Sequence, residues 1–275
     1  MICKICNCEF KAITNTHLKK HGITMQEYSL MYGVSCLNEN QTKKGLVPWN
    51  KGKKGLQKAY NKGSCKVDHS YFKRINCNMF YTLGLMFADG CIRRDRKGCK
   101  IISLSLNIND IDIIEKVKDD MCLHKDICIS MDKRYENKGQ AVITIYSEEI
   151  YDDMVSFGCI ERKSLVLEFP NINNPYLKHF IRGYFDGDGS VFITRGSLNV
   201  SFTSGSFNFL EGLIYNINKE LDIKAKIYSK SSKNTCYFIN YRGDNAIRLC
   251  GWLYDDAKIF MDRKYKKYKS FIKER

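Results

Sequence analysis

The chain has 275 residues, 44% of them hydrophobic, enough for a packed core in one large or two modest domains. No apolar run approaches the roughly 20 residues that span a bilayer, and the opening MICKICNCEF lacks the apolar stretch and small-residue cleavage site of a secretory signal. The expected location is therefore intracellular, and a formal net charge of +15 points to a polyanionic partner.

That charge is concentrated at the start. Residues 1–75 hold 14 Lys/Arg against 4 Asp/Glu, and basic segments bind nucleic acid by releasing counterions from its phosphates. The 13 cysteines are odd in number and mostly stand singly in apolar segments, so they read as reduced thiols rather than a disulfide scaffold. The exception lies in residues 1–33. Cys3 and Cys6 are separated by two residues, and His17 and His21 stand at i and i+4, on one face of a helix. Two thiolates from a tight turn and two imidazoles from a helix can close a tetrahedron around zinc, with Cys8 as an alternative ligand. The ten-residue spacer and the trailing HGIT-x-x-EY resemble the Ros/MucR-type zinc finger of some phage and bacterial DNA-binding proteins, and so small a piece is expected to fold only around its metal.

Residues 34–75 lose all periodicity. Aromatic-Asn-Lys-Gly occurs twice, at Trp49–Gly52 and Tyr60–Gly63, punctuated by Gly and Pro. The stretch resembles small nuclease-associated modules that lie extended along DNA. Trp49, Asn50, Lys51, Lys53 and Lys54 are its expected DNA contacts.

From residue 76 the chain repeats itself, as 76–172 and 173–275. FYTLGLMFADGCI (80–92) aligns with HFIRGYFDGDGSV (179–191) at an offset of 99 residues, Asp89 falling on Asp188. An Arg-Lys pair follows each acid, Lys163 closing the first and Lys264 the second, the pairs beginning 73 and 75 residues downstream. Each copy reads as helix–strand–strand–helix–strand–strand–helix, an α+β class. Gly84 and Ala88, like Gly183 and Gly187, give each first helix a stripe of small residues, so two such helices can pack closely. Their C-terminal ends would meet, Gly90 and Gly189 would end them in the left-handed conformation, and Asp89 and Asp188 would sit side by side. Two carboxylates at helix C-termini, where the dipole disfavours negative charge, call for a divalent cation such as magnesium.

LGLMFADG and RGYFDGDG resemble the LAGLIDADG motif of homing endonucleases in single-chain, two-repeat form. The resemblance implies two αββαββα repeats about a pseudo-twofold axis, their saddle-shaped antiparallel sheets lying over double-stranded DNA, and a monomer cutting a long asymmetric target with magnesium bound by Asp89 and Asp188. It also implies a basic residue late in each repeat, matched by Lys163 and Lys264, and a polar one after the second strand, matched by Asp110 and Ser206. Arg-Lys on a helix is otherwise a solvated pair, and Asp110 otherwise an N-cap. DNA contacts are expected from alternating strand positions, Arg93, Arg94, Arg96 and Lys100 in one copy and Arg195, Lys224, Lys226, Lys230 and Arg242 in the other, on a basic and aromatic face. The alternative is the same fold without cleavage, as an RNA-splicing maturase or DNA-binding regulator; retention of both acids favours the nuclease.

Overall fold

The computed structural model describes residues 1–33, 66–131, 139–229 and 236–275, and its contacts divide the chain into Met1–Ala59 and Tyr60–Arg275. Trp49, Asn50, Lys51, Lys53, Lys54 and Lys230 lie outside the described residues.

In the first unit, helices α1 (Asn15–Leu18) and α2 (Met25–Tyr32) follow a short Cys-bearing turn. Thr14 caps α1, and Thr24 forms a capping box with Glu27 at α2, which satisfies otherwise orphaned backbone donors. Among the described residues of this unit, Cys3, Ile13, Leu18 and Tyr28 form the buried core.

The second unit begins earlier than the repeat pattern suggests. Tyr71 and Phe72 are buried, and the Tyr71 hydroxyl donates to Asp120 at 2.6 Å. Residues 66–75 are thus packed structure rather than the end of an extended linker, because two aromatic rings bring more apolar area to the core than a free tether forgoes. Then come α3 (Cys77–Ala88), β1 (Gly90–Arg94), β2 (Lys100–Asn107), α4 (Ile111–Asp120), β3 (Cys128–Met131), β4 (Gly139–Tyr146) and α5 (Glu148–Ser156). The second copy follows as α6 (Asn174–Asp188), β5 (Gly189–Thr194), β6 (Ser197–Ser204), α7 (Phe207–Leu221), β7 (Tyr228–Ser229), β8 (Tyr237–Arg242) and α8 (Asp244–Tyr254), with a further helix, α9 (Asp262–Lys273). Each copy makes a four-stranded antiparallel sheet, in the orders β1-β2-β4-β3 and β5-β6-β8-β7. The ladders also agree in register: Gly90 faces Leu104, and Gly189 faces Phe202.

One face of each sheet is apolar and covered, carrying Ile92, Leu104 and Ile143 in the first and Val191, Phe202 and Ile239 in the second. Of the described residues in the strand expected over 224–230, Tyr228 and Ser229 alone are paired. Lys224 and Lys226 precede it in irregular chain, exposed, while Ala225 and Ile227 pack on the core.

Candidate active site

Helices α3 and α6 make the most extensive contact between any two elements. A Cβ at Gly84 would stand 2.0 Å from the Phe180 carbonyl oxygen, and one at Gly183 would stand 1.9 Å from that of Tyr81. Each glycine thus presses its backbone against the partner helix. At the foot of the interface a Cβ on Gly187 would meet the Ala88 methyl at 2.3 Å and the Asp89 carboxylate at 2.7 Å. The small-residue stripes bring the two acids' helix ends together.

Gly90 and Gly189 do not adopt the left-handed conformation; neither is among the positive-φ glycines. Each helix runs directly into its strand, and the glycines answer a steric demand instead: a Cβ at either would lie 2.5 Å from the carbonyl oxygen four residues back, on Met86 or Phe185.

The acids sit in a charged setting. Burial, reinforced by the charge of Asp188, pushes Asp89 up to about 6, with Lys264 and Lys163 opposing. The protein packed around the carboxyl of Asp188 raises it as well, against Lys163, the Tyr184 hydroxyl and Lys264. Both lysines are buried, at 8% and 3% exposure. Lys163 Nζ donates to the carbonyl of Ala88, the last residue of α3, at 3.5 Å and to that of Gly90 at 2.5 Å, and Lys264 Nζ to those of Phe185 and Asp186 at 2.5 and 2.7 Å. Each ammonium therefore caps the C-terminal end of its own repeat's helix, where a cation complements the dipole. Burial lowers Lys264 to about 8.

Asp186, two residues before Asp188, is wholly buried. It accepts from the Tyr81 hydroxyl at 2.9 Å and from the Met261 backbone N–H at 2.8 Å, which fixes the chain that leads into Lys264. Arg182 is buried too, donating to the carbonyls of Ile259 and Leu253 and to His179. His179, pushed down to about 4 by burial and then by Arg182, is a neutral acceptor.

The two polar residues after the second strands have different fates. Ser206 caps α7 through the Phe209 N–H and donates to the Leu167 carbonyl. Asp110 makes no capping bond to α4; it accepts from Arg263 Nε at 2.8 Å across the repeats. With Asp89, Asn107, Gln140 and Arg263 it lines a cleft of about 280 Å³. Asn107, Gln140 and the role of Arg263 had no signal in the sequence, because a contact across 153 residues leaves no periodicity.

The expected DNA contacts separate by face. Arg93 is exposed on the open face, opposite to Ile92. Arg94 shares the covered side with Ile92 and lies over the Tyr151 ring near Glu161. Lys100 is bound to Asp152 at 2.6 Å. The alternation therefore fails at these two positions, where α5 supplies groups that hold them. Arg96 and Arg195 occupy hairpin tips; Arg195 and Gly196 both have positive φ, as a two-residue hairpin turn demands. Arg242 is exposed in β8. The open face of the second sheet carries Ser190, Phe192, Ser201, Thr203, Tyr228, Phe238 and Asn240 by register, so it is hydroxyl-rich and aromatic more than basic. On the first sheet Lys125, which pattern reasoning missed, donates to the Thr144 carbonyl and lies over Tyr146.

In the first unit the ligand atoms of Cys3, Cys6, His17 and His21 all lie within 4.8 Å of one another. Cys6 Sγ is 3.5 Å from His17 Nε2, and the two histidine Nε2 atoms are 3.3 Å apart. Tetrahedral zinc, with bonds of about 2.3 Å to sulfur and about 2.0–2.1 Å to nitrogen, implies separations close to these. Burial would raise Cys3, but the backbone N–H groups of Cys6 and Ile5 hold it down at about 6. Cys8 is exposed, its thiol on the Cys6 carbonyl, and stands outside the group.

Residues 175–251 match the family model of the LAGLIDADG-like domain. The homing endonuclease I-WcaI, solved bound to its DNA recognition sequence, superposes with a TM-score of 0.50 at 11% identity, over 72% of this chain and 90% of that one. The fold is that of the two-repeat LAGLIDADG homing endonucleases. Two curated proteins of Methanocaldococcus jannaschii also align: a probable translation initiation factor IF-2, 28% identical over 62% of this chain, and the RNA polymerase subunit Rpo1C, 26% identical over 51%. The chain spans about a sixth of each relative's length, at 16% and 15%. The LAGLIDADG match ends before Lys264 and begins after the first repeat; common sheet order and register tie that repeat to the second. Among the described residues no helix is long and apolar enough to cross a membrane.

Proposed function

We propose that the chain is a site-specific DNA endonuclease, active as a monomer, that hydrolyses one phosphodiester on each strand of an asymmetric target with Asp89 and Asp188 as metal-binding acids. The observation that carries this reading is the convergence of the two acids at the foot of α3 and α6, where the charge of Asp188 adds to burial in raising the Asp89 carboxyl. The half-buried Asp89, its neighbour's charge and a cleft lined by carboxylate and amide oxygens fit a hard divalent cation. Magnesium held there would supply charge to the phosphate oxygens and acidity to a bound water.

The residues of the chain have separable roles. Asp89 and Asp188 bind and orient at the helix ends, and Lys163 and Lys264 hold positive charge beside them. Arg93, Arg96, Arg195, Lys224, Lys226 and Arg242 meet phosphates and base edges, the former contacts positioning the duplex and the latter reading it. Zinc at Cys3, Cys6, His17 and His21 orders the first unit, and residues 34–65 extend the basic footprint. In the step itself water oxygen joins phosphorus, the P–O3′ bond breaks, and one proton of that water ends on the 3′ oxygen. The product ends are 5′-phosphate and 3′-hydroxyl.

The test uses the full chain and a duplex selected by binding from a randomised double-stranded DNA library. With magnesium, the wild type should cut both strands. Asp89→Asn and Asp188→Asn should each lower the rate by roughly 10³-fold or more while binding persists, a loss on the scale of removing a key charge stabiliser. Wild-type protein that binds the duplex and never cuts it sinks the enzyme reading and leaves a DNA-binding regulator.

A further inference from the structure

The two half-sites are not equivalent, and the difference lies in how each chain leaves its second strand. The ladders align Leu104 with Phe202, hence Asn107 with Gly205. In the first repeat a 3-10 turn, Ile108–Asp110, then precedes α4. In the second, Ser206 alone separates Gly205 from α7. The first repeat thus carries two additional residues, and they bring Asp110 into the cleft beside Asp89 instead of over the helix that follows.

Every element of that corner differs from its counterpart in the other half. The Ser206 hydroxyl is engaged by the Leu167 carbonyl and the Phe209 N–H. A Cβ at Gly205 would stand 2.4 Å from the Ser164 carbonyl oxygen, so protein backbone closes the space that Asn107 lines in the first repeat. Gln140, which faces Asn107, has Cys236 as its register equivalent. Arg162, the partner of Arg263 by sequence, is left-handed at φ 56 and exposed. Arg263 instead crosses from the second repeat to the 4%-exposed Asp110, through Nε, while more than half of its side chain, 58%, stays open to solvent. A guanidinium anchored by one nitrogen keeps further N–H donors for a phosphate.

Building on the endonuclease reading, we propose that the two strands are cut at unequal rates, the strand at Asp89 first, because Arg263, positioned by Asp110, contacts the phosphate of that half-site alone. Arg263 is a catalytic residue for one strand; Asp110 is its positioning residue.

The experiment follows each strand separately. The selected duplex is end-labelled on one strand at a time and cut by excess full-length protein with magnesium, under single-turnover conditions. Wild type should cut one strand about tenfold faster or more, with a nicked intermediate, a difference expected when one half-site has a phosphate donor that the other lacks. Arg263→Ala and Asp110→Asn should each slow that strand by about tenfold or more and change the other by about twofold at most; Arg263→Lys should restore part of the fast rate. Binding of the same duplex in calcium reports that each variant is folded. Equal strand rates in the wild type overturn the proposal, as does an equal slowing of both strands, which is what a mere brace between repeats would give. A wild type that cuts neither strand overturns the endonuclease reading itself, and this inference with it.

Discussion

Asp89 is held in a state that costs the fold something. In the absence of divalent metal its carboxyl titrates at about 6 in the native chain, against about 3.9 in an unfolded one. Between those values the native state holds the proton that the unfolded state has released, so stability falls as pH rises from about 4 to 6, and the cost is fully present above pH 6. Asp89→Asn should therefore raise metal-free stability at pH 7.5 by about 1–2 kcal/mol, less than the full shift implies because the side chain is only half-buried. The gain should vanish near pH 4. Thermal or denaturant unfolding at both pH values checks this, and an Asn variant no more stable than wild type at pH 7.5 would refute it. Asp89 and Asp188 were legible in the sequence because duplication put them in register. Asp110–Arg263 was not, since an ion pair across two repeats leaves no spacing to read, and the helix-side anchoring of Arg94 and Lys100 depends on side chains of α5 that strand alternation cannot foresee.

At the scale of elements, the α3–α6 interface sets the distance between the acids. A methyl at Gly84 or Gly183 would press on partner backbone oxygen at 2.0 or 1.9 Å, and helix backbone cannot yield as a flexible side chain does. Gly84→Ala and Gly183→Ala should each destabilise the second unit by about 2–3 kcal/mol, at the upper end of the cost of overpacking, and separate the acids enough to slow both strands. Gly251→Ala in α8 is the matched comparison. The nearest atom to its Cβ is the Tyr268 hydroxyl at 3.6 Å, so the variant should gain up to about 1 kcal/mol from helix propensity. Equal melting of all three would show that the close approach does not govern packing. The small-residue stripe, the repeat and the strand–helix order were readable from the sequence because they are periodic. The left-handed exits expected at Gly90 and Gly189 were not realised, because a strand follows each helix at once and the constraint falls on contact with the preceding turn rather than on φ. Between 224 and 230 alternation was present, but β8 pairs only the last two of the described residues there, and alternation alone does not supply a partner.

At the scale of the whole molecule, two units with separate cores depend on different things. The second is closed by two sheets and their helices. Among the described residues of the first, four form the buried cluster, too few to offset the entropy of ordering that segment without a cross-link or a metal. Its stability should therefore reside in the Cys3–Cys6–His17–His21 cluster. In the full chain, Cys6→Ser or His21→Ala should release one zinc by metal analysis and abolish the ordered amide signals of residues 1–33. The melting transition of the second unit should move by no more than about 2 °C, a shift corresponding to about 0.5–1 kcal/mol for a unit of that size. Because ordering this basic unit presents its lysines to the duplex as a set, affinity should fall and the plot of log K against log salt should become shallower, by about 0.9 for each phosphate no longer neutralised. Retention of the zinc in both variants would exclude the cluster as its ligand set. Disappearance of the second unit's transition together with the metal would show that the two cores are one cooperative structure.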